Sequence, residues 1–389
     1  MKKKILVVFT GAMELGGIER SLLGLLDAFD YNMYEVDLFL YAHHGPLMSL
    51  INKNVNLLPE VRELAYLRES LSSKIKHGCF LSAAMRLKDA IKNCITRINY
   101  DVTWAEIMRI CAPKLSNHYD IALGFFRPFD FIVEKVEADI KVGWIHTDYT
   151  KAGEALEPLA QDYARMDYIV AVSEQCSKTF QSLFPEFSKK MITIENILSK
   201  EFIFSELKKN CNSIEMDGSK DIKLLSIGRL VEQKNFDNIP DICRRILDYG
   251  LDIKWYIIGF GSEEDRIRKK IVEAKVEDNV ILLGKKENPY PYINACDLYV
   301  QPSRCEGKAV TVREAQILCK PVVITCYPTS SSQLEDGVDG VIVPMDNEGC
   351  AMGIVKLLKD QKRMEELSNA CAKRDYSNAK EIQRIYELI

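Results

Sequence analysis

The chain has 389 residues, of which 47% are hydrophobic and 28% charged, with a net charge of −4 at neutral pH. That length suits two domains able to bury full cores, and the mild acidity excludes a general nucleic-acid binder. Twelve scattered cysteines, no two in a C-x-x-C pair, exclude a regular disulfide framework or zinc site and fit a reducing compartment.

The first apolar run, Ile5 to Phe9, follows three lysines and breaks at Thr10-Gly11 and Glu14. It is too short for a signal core and far short of the roughly 20 residues a span needs, so a cytoplasmic protein, free or peripheral, is expected. Residues 4–9 read instead as a buried first strand. Gly16-Gly17-Ile18-Glu19-Arg20 then leads into a helical run, and residues 35–41 form a second strand. Weaker strands follow over 120–125, 141–145, 168–172 and 191–194. A polar stretch over 206–220 reads as linker or surface loop. The alternation then restarts, with strands over 223–227, 254–258, 280–283, 298–301, 322–325 and 340–343 and helices between them. This pattern predicts an α/β protein of two doubly wound, Rossmann-like parallel-sheet domains facing across a cleft. The expected boundaries are 1–198 and 199–374, with a helix over about 375–389 packing back on the first domain.

Within the first half, residues 72–98 carry six basic residues (Lys74, Lys76, Arg86, Lys88, Lys92, Arg97) against one acid, Asp89. Phe80, Ala84, Leu87, Ile91, Ile95 and Ile98 recur there at spacings of three and four. One amphipathic helix is predicted. It is either a domain helix with its apolar face on the sheet, or a surface for anionic lipid, where each cation contributes about 1 kcal/mol.

The most informative block runs from Pro302 to Ala315, where Glu306 and Glu314 stand eight positions apart between two strands. The loop through Gly307 delivers Glu306 to the rim of the sheet, and a helix opens at about residues 309–311. Free N–H groups at a helix start attract phosphate. Glu314, one turn further, either accepts two hydrogen bonds from a ribose diol or only complements the helix dipole. Gly228-Arg229-Leu230, with Lys234 four residues on, places two cations just past a strand end, a suitable pair for a diphosphate. Gly259-Phe260-Gly261 is a second glycine turn, for phosphate or for packing alone. Backbone groups at Gly284-Lys285 are placed to meet a base edge.

Together these motifs resemble the retaining glycosyltransferases of family 4, which have the GT-B fold. The run from Leu282 through Gln301-Pro302-Ser303-Arg304-Cys305-Glu306-Gly307 to Val343-Pro344 is similar to that family throughout, and Gly16-Gly17 looks like its first-domain glycine loop. Trp144-Ile145-His146-Thr147-Asp148-Tyr149 looks like the subset that builds capsular or other cell-surface polysaccharides. The resemblance implies a hexosyl transfer from a nucleotide-diphosphate sugar, a UDP-sugar by preference, to a lipid-linked or growing surface glycan. Arg229 and Lys234 would bind the diphosphate, Glu306 the donor sugar and Glu314 the ribose. Backbone near Val310 and Thr311 would complete the phosphate cradle, Gly284 would meet the base, Gly17 would let the first-domain loop approach, and His146 would sit at the reacting centre. No D-x-D occurs, and the resemblance implies neither metal nor cofactor, the two cations standing in for a metal.

The chain departs from the pattern at Lys308 and Ala309, where the family commonly has an aromatic residue and a glycine. Ala309 is expected to be strained if its φ must be positive, and Lys308 is expected to point into solvent. His146 also has an ordinary reading, as a hydrogen-bonded structural residue. His43 and His44 read as surface turn residues. A nicotinamide oxidoreductase would need G-x-G-x-x-G after the first strand, which Gly11, Gly16 and Gly17 do not supply. A nucleotide-sugar epimerase, or a non-catalytic partner retaining the fold, are the remaining alternatives.

Overall fold

Strand residues of the first half divide cleanly between two faces. Ile5, Val7 and Phe9 enter one core, with Leu22, Leu25 and Leu26 of the first helix. Leu6 and Val8 enter another, with Ile107, Met108 and Phe131. A strand whose successive side chains are buried on opposite sides must lie inside a sheet covered on both faces. The structure, a computed structural model, describes residues 2–67, 69–96, 103–146, 149, 156–209, 215–216 and 221–389.

The first sheet contains β1 (Lys3–Phe9), β2 (Tyr34–Leu40), β3 (Asn56–Leu57), β4 (His118–Gly124), β5 (Glu137–Ile145), β6 (Tyr168–Ala171) and β7 (Met191–Thr193). Their spatial order is β3-β2-β1-β4-β5-β6-β7. The second contains β8 (Ile222–Ile227), β9 (Ile253–Ile258), β10 (Val280–Gly284), β11 (Leu298–Gln301), β12 (Val322–Thr325) and β13 (Val341–Val343), ordered β10-β9-β8-β11-β12-β13. All pairings between named strands are parallel. Here too one residue in two goes to each side, Trp255 and Ile257 to one core and Tyr256 and Ile258 to the other. Each sheet reverses its strand order once, between β1 and β4 and between β8 and β11. Ligands bind at such switch points, beyond the carboxyl ends of the strands.

Differences from the sequence reading have simple causes. The edge strand β3 has two residues, too few for any periodicity. β5 starts at Glu137, four residues before the predicted start, because its polar first half is held by ladder pairing of Glu137 with His118 rather than by burial. The predicted helix over 72–98 is two helices, Leu71–Lys76 and Phe80–Thr96, separated at Gly78, whose φ is +74°. Lys74 leaves the expected basic surface: it is buried and donates to the carbonyl of Leu67 at 2.8 Å. Phe80 and Leu87 are 66% and 51% exposed, so this part of the apolar stripe does not pack on the sheet. The side chains of Asp89, Ile91, Lys92 and Ile95, and residues Arg97 and Ile98 altogether, lie outside the described structure, as do Thr147, Asp148 and most of the predicted linker. Among the described residues no helix is long and apolar enough to cross a membrane.

The backbone passes between the two sheets over residues 194–200, and the final residues return. Ile382 and Ile385 are buried in the first core, and Tyr386 stacks on Tyr34 with ring centroids 4.3 Å apart. Outgoing and returning segments bond directly, Leu198 N–H donating to the carbonyl of Ser377 at 2.7 Å.

Candidate active site

The second-domain rim is built from loops sewn to one another. Gly228 N–H donates to Ile258 O at 3.0 Å and Leu230 N–H to Phe260 O at 2.9 Å. A Cβ on Gly259 would lie 1.9 Å from Gly228 O, and one on Gly261 would lie 2.4 Å from Leu230 O. The glycine turn left open by the sequence therefore serves loop-on-loop packing. After β8, Asn235 adopts a left-handed conformation and its side chain donates to Pro302 O at 2.8 Å. Arg304 N–H donates to Gln233 O at 2.8 Å, while its guanidinium meets the buried Asp237 at 3.1 Å. The loops following β8 and β11 thus form one unit across the switch point.

That unit brings Lys234 to Glu306. The Lys234 ammonium lies 2.6 Å from Glu306 Oε1, with the two side chains 18% and 10% exposed. The same oxygen accepts from Ser303 Oγ at 2.6 Å and Gln301 Nε2 at 3.2 Å. Three donors on one oxygen fix the orientation of the carboxylate. Arg229 is exposed on the adjacent loop. Gly284, at the end of β10, has φ +69° and receives a bond from Gly259 N–H on its carbonyl.

The following helix is Val310–Ile317, and no side chain caps its start. Ala309 has φ −77°, so the expected strain is absent. Gln333 clamps Ala309 instead, accepting from its N–H at 2.7 Å and donating to its carbonyl at 3.3 Å. Lys308 does not point into solvent. It is buried and donates to Glu195 Oε1 at 2.6 Å and Ser332 O at 2.5 Å. Burial and Arg313 push its ammonium pKa down, and Glu195 pulls it back up. Both departures are structural, which removes them as arguments for a protein that has lost turnover.

Glu314 is fully buried. Its Oε1 accepts from Tyr290 OH at 2.9 Å and Arg20 Nη1 at 3.2 Å. Its Oε2 is buried with no partner among the described residues. Sequence reasoning missed both donors: Arg20 ends the Gly16–Arg20 motif without any sign that it crosses to the second domain, and Tyr290 had no signal.

From the first domain, Gly17 begins the helix Gly17–Ala28, and a Cβ placed on it would lie 3.6 Å from Val310 Cβ. Two helix starts therefore meet at the seam. Glu14 and Lys285 pair across it at 2.8 Å. Glu19, two residues after Gly17, is pushed up to about 7 by burial, against the pull of its own backbone and Arg229. His146, just past β5, meets the Phe125 carbonyl through Nε2 at 2.7 Å. Burial lowers its pKa to about 4, so the ring is neutral at physiological pH, with Nε2 carrying the proton and Nδ1 left as acceptor. The hydrogen bond and the ring contact of His146 are both with Phe125 of the first domain.

Comparison with known proteins accords with this geometry. Residues 214–374 match the family model described as Glycosyl transferases group 1, so the resemblance read from the second-half motifs is borne out. A Campylobacter jejuni N-acetylgalactosamine-N,N'-diacetylbacillosaminyl-diphospho-undecaprenol 4-alpha-N-acetylgalactosaminyltransferase is 28% identical over 209 residues, 53% of this chain and 55% of that protein. A Bacillus subtilis poly(glycerol-phosphate) alpha-glucosyltransferase is 27% identical over 157 residues, 40% of this chain and 23% of that one. The chain thus spans about half the length, or less, of these curated relatives. Among solved structures, a TarM variant from S. aureus in complex with Fondaparinux, alpha-GlcNAc-glycerol and UDP gives a TM-score of 0.72 at 16% identity, covering 99% of both chains. HepE from Anabaena with UDP and glucose gives 0.70 at 16% identity, covering 99% of this chain and 98% of that one. Two parallel-sheet domains with these neighbours constitute the GT-B fold.

Proposed function

We propose that this protein is a retaining, metal-independent glycosyltransferase that moves a hexosyl unit from a UDP-sugar to a lipid-linked or growing cell-surface glycan. The observation that carries this reading is the Lys234–Glu306 pair at the β8/β11 switch point, beside the uncapped helix start at Val310. The leaving group is a nucleoside diphosphate, whose departure needs charge stabilisation more than proton transfer. Arg229, Lys234 and the free N–H groups near Val310 and Thr311 supply it, with no metal or cofactor. Glu306 accepts hydrogen bonds from donor-sugar hydroxyls, Glu314 holds the ribose, and backbone at Gly284 meets the base. His146, neutral, offers an acceptor nitrogen rather than a proton near the reacting carbon. Gly17 lets the first-domain loop close on the phosphates. Attack from the face the diphosphate leaves retains the anomeric configuration, and the departing phosphate oxygen takes the acceptor proton.

The acceptor class is supported by the relatives, one named for a diphospho-undecaprenol saccharide and another for a poly(glycerol-phosphate) chain. An acceptor of this kind places the enzyme at the cytoplasmic face of the membrane. The exposed Phe80, Ala84 and Leu87, beside Arg86 and Lys88, are a surface suited to anionic lipid there.

A thermal-shift panel of UDP, GDP, ADP, CMP and NAD tests the reading on wild type and Arg229→Ala. A ligand that binds only the native state raises its melting temperature. A shift with UDP alone, lost in the variant, is expected. A shift with NAD instead, or none with any nucleotide, would overturn the assignment.

A further inference from the structure

Arg20 reaches out of the first domain and ends inside the second. Its guanidinium carbon lies 5.2 Å from the centroid of the Tyr290 ring. Nη1 donates to Tyr290 OH at 2.7 Å and to Glu314 Oε1 at 3.2 Å, while Nη2 donates to Glu287 O at 3.4 Å. All three partners belong to the second domain, and the Arg20 and Glu314 side chains are only 9% and 1% exposed. The pairing is nevertheless incomplete, because Glu314 Oε2 is buried with no partner among the described residues. A buried carboxylate with one bare oxygen is an unsatisfied acceptor, and such groups in native proteins generally await a ligand or a water.

In this arrangement Glu314 is closed to solvent, with Arg20 on one of its oxygens. We propose that Arg20 is a latch over the nucleoside pocket: Arg20 and the ribose hydroxyls of the donor compete for Glu314, and the nucleotide enters as Arg20 leaves. This rests on the reading of Glu314 as the ribose holder. Other contacts cross the seam as well: Ser173 Oγ donates to Gly307 O at 3.4 Å in a buried setting, and Lys308 pairs with Glu195 at 2.6 Å. The Glu14–Lys285 pair is 43% and 41% exposed, a setting in which ion pairs contribute little. Ligand affinity is reduced by the fraction of molecules that are competent to bind, so the latch lowers the apparent affinity for nucleotide.

Three variants separate the possibilities by calorimetric titration with UDP. Arg20→Ala is expected to bind UDP at least threefold more tightly than wild type. Arg20→Lys, with one donor centre in place of the fork, is expected to fall between. Glu314→Gln is expected to weaken UDP binding in every background. Weaker or unchanged UDP binding in Arg20→Ala overturns the latch. UDP binding that is indifferent to Glu314→Gln overturns the ribose assignment, and the competition with it.

Discussion

Lys234 and Glu306 face each other at 2.6 Å across the switch point of the second sheet, one carried by the loop after β8 and the other by the loop after β11. The cation assigned to the diphosphate and the carboxylate assigned to the sugar are thus held by each other before any donor arrives. Lys234→Ala and Arg229→Ala are each expected to lower kcat/KM for a UDP-sugar by about 2–4 kcal/mol, the scale of one preorganised charged contact. Release of UDP from UDP-sugar measures it, and an unchanged kcat/KM removes the residue from the site.

Glu314→Gln removes the charge facing Arg20 in a buried setting. Breaking a buried pair from one side costs about 3–5 kcal/mol of stability. Denaturant unfolding should show a loss of that order, and donor turnover should fall severely. Near-native turnover would contradict the role given to this residue.

Lys308→Ala tests a correction to the sequence reading. A lysine in solvent could be removed within about 0.5 kcal/mol, whereas this one bonds Glu195 and Ser332 from a buried position. Its loss leaves Glu195 with fewer cations, so a destabilisation of about 3 kcal/mol is expected by urea unfolding.

Glu19 gives the stability a pH dependence of unusual sign for a carboxylate. Its native pKa is raised to about 7, above the ordinary 4.5, so the folded state holds the extra proton between these values. Stability therefore falls as pH rises through that window. Glu19→Gln should be more stable than wild type above pH 7, by at most about 3 kcal/mol at roughly 1.4 per pKa unit. Below pH 4.5 the two should coincide. Unfolding curves at pH 4.5 and pH 8 decide it.

His146 acts in the opposite direction. Its native pKa is lowered to about 4 from 6.5, so the unfolded chain binds the extra proton in that interval. Its contribution is full above pH 6.5 and is lost as pH falls towards 4. His146→Asn should flatten this acid limb by at most about 3 kcal/mol. The same shift predicts that no titration near pH 6.5 in the activity profile belongs to His146.

How much of this was legible in the chain depends on whether the cause was local. Residues 298–301 and 322–325 were placed to the residue, because a central parallel strand is an unbroken apolar run. The first half of β5 was not, because its polar residues are held by a neighbouring ladder that no local pattern reveals. In the candidate site, Glu306, Lys234 and Glu314 stand out by their spacing, and the structure brings Lys234 and Glu306 together. Lys308 was misread because its partner Glu195 lies 113 positions away in sequence. Arg20 was quoted but not understood, since which face of its helix meets the other domain is set by the packing of the two sheets.

The return of the last residues has a consequence for how the protein is made. Ile382 and Ile385 complete the first core, and the Lys3 ammonium of the first strand donates to the carbonyl of Ile389 at 2.7 Å. The second domain is thus a closed insertion whose two ends lie side by side, while the first is assembled from residues on both sides of it. During synthesis the second domain has all its strands in hand once residue 343 has emerged. The first must wait, with part of its apolar surface uncovered, until residues 382–389 have emerged. Multidomain chains in that condition are prone to aggregate. Deleting residues 382–389 should accordingly spare the second domain and show its damage as exposed apolar surface on the first, the half that was translated earliest.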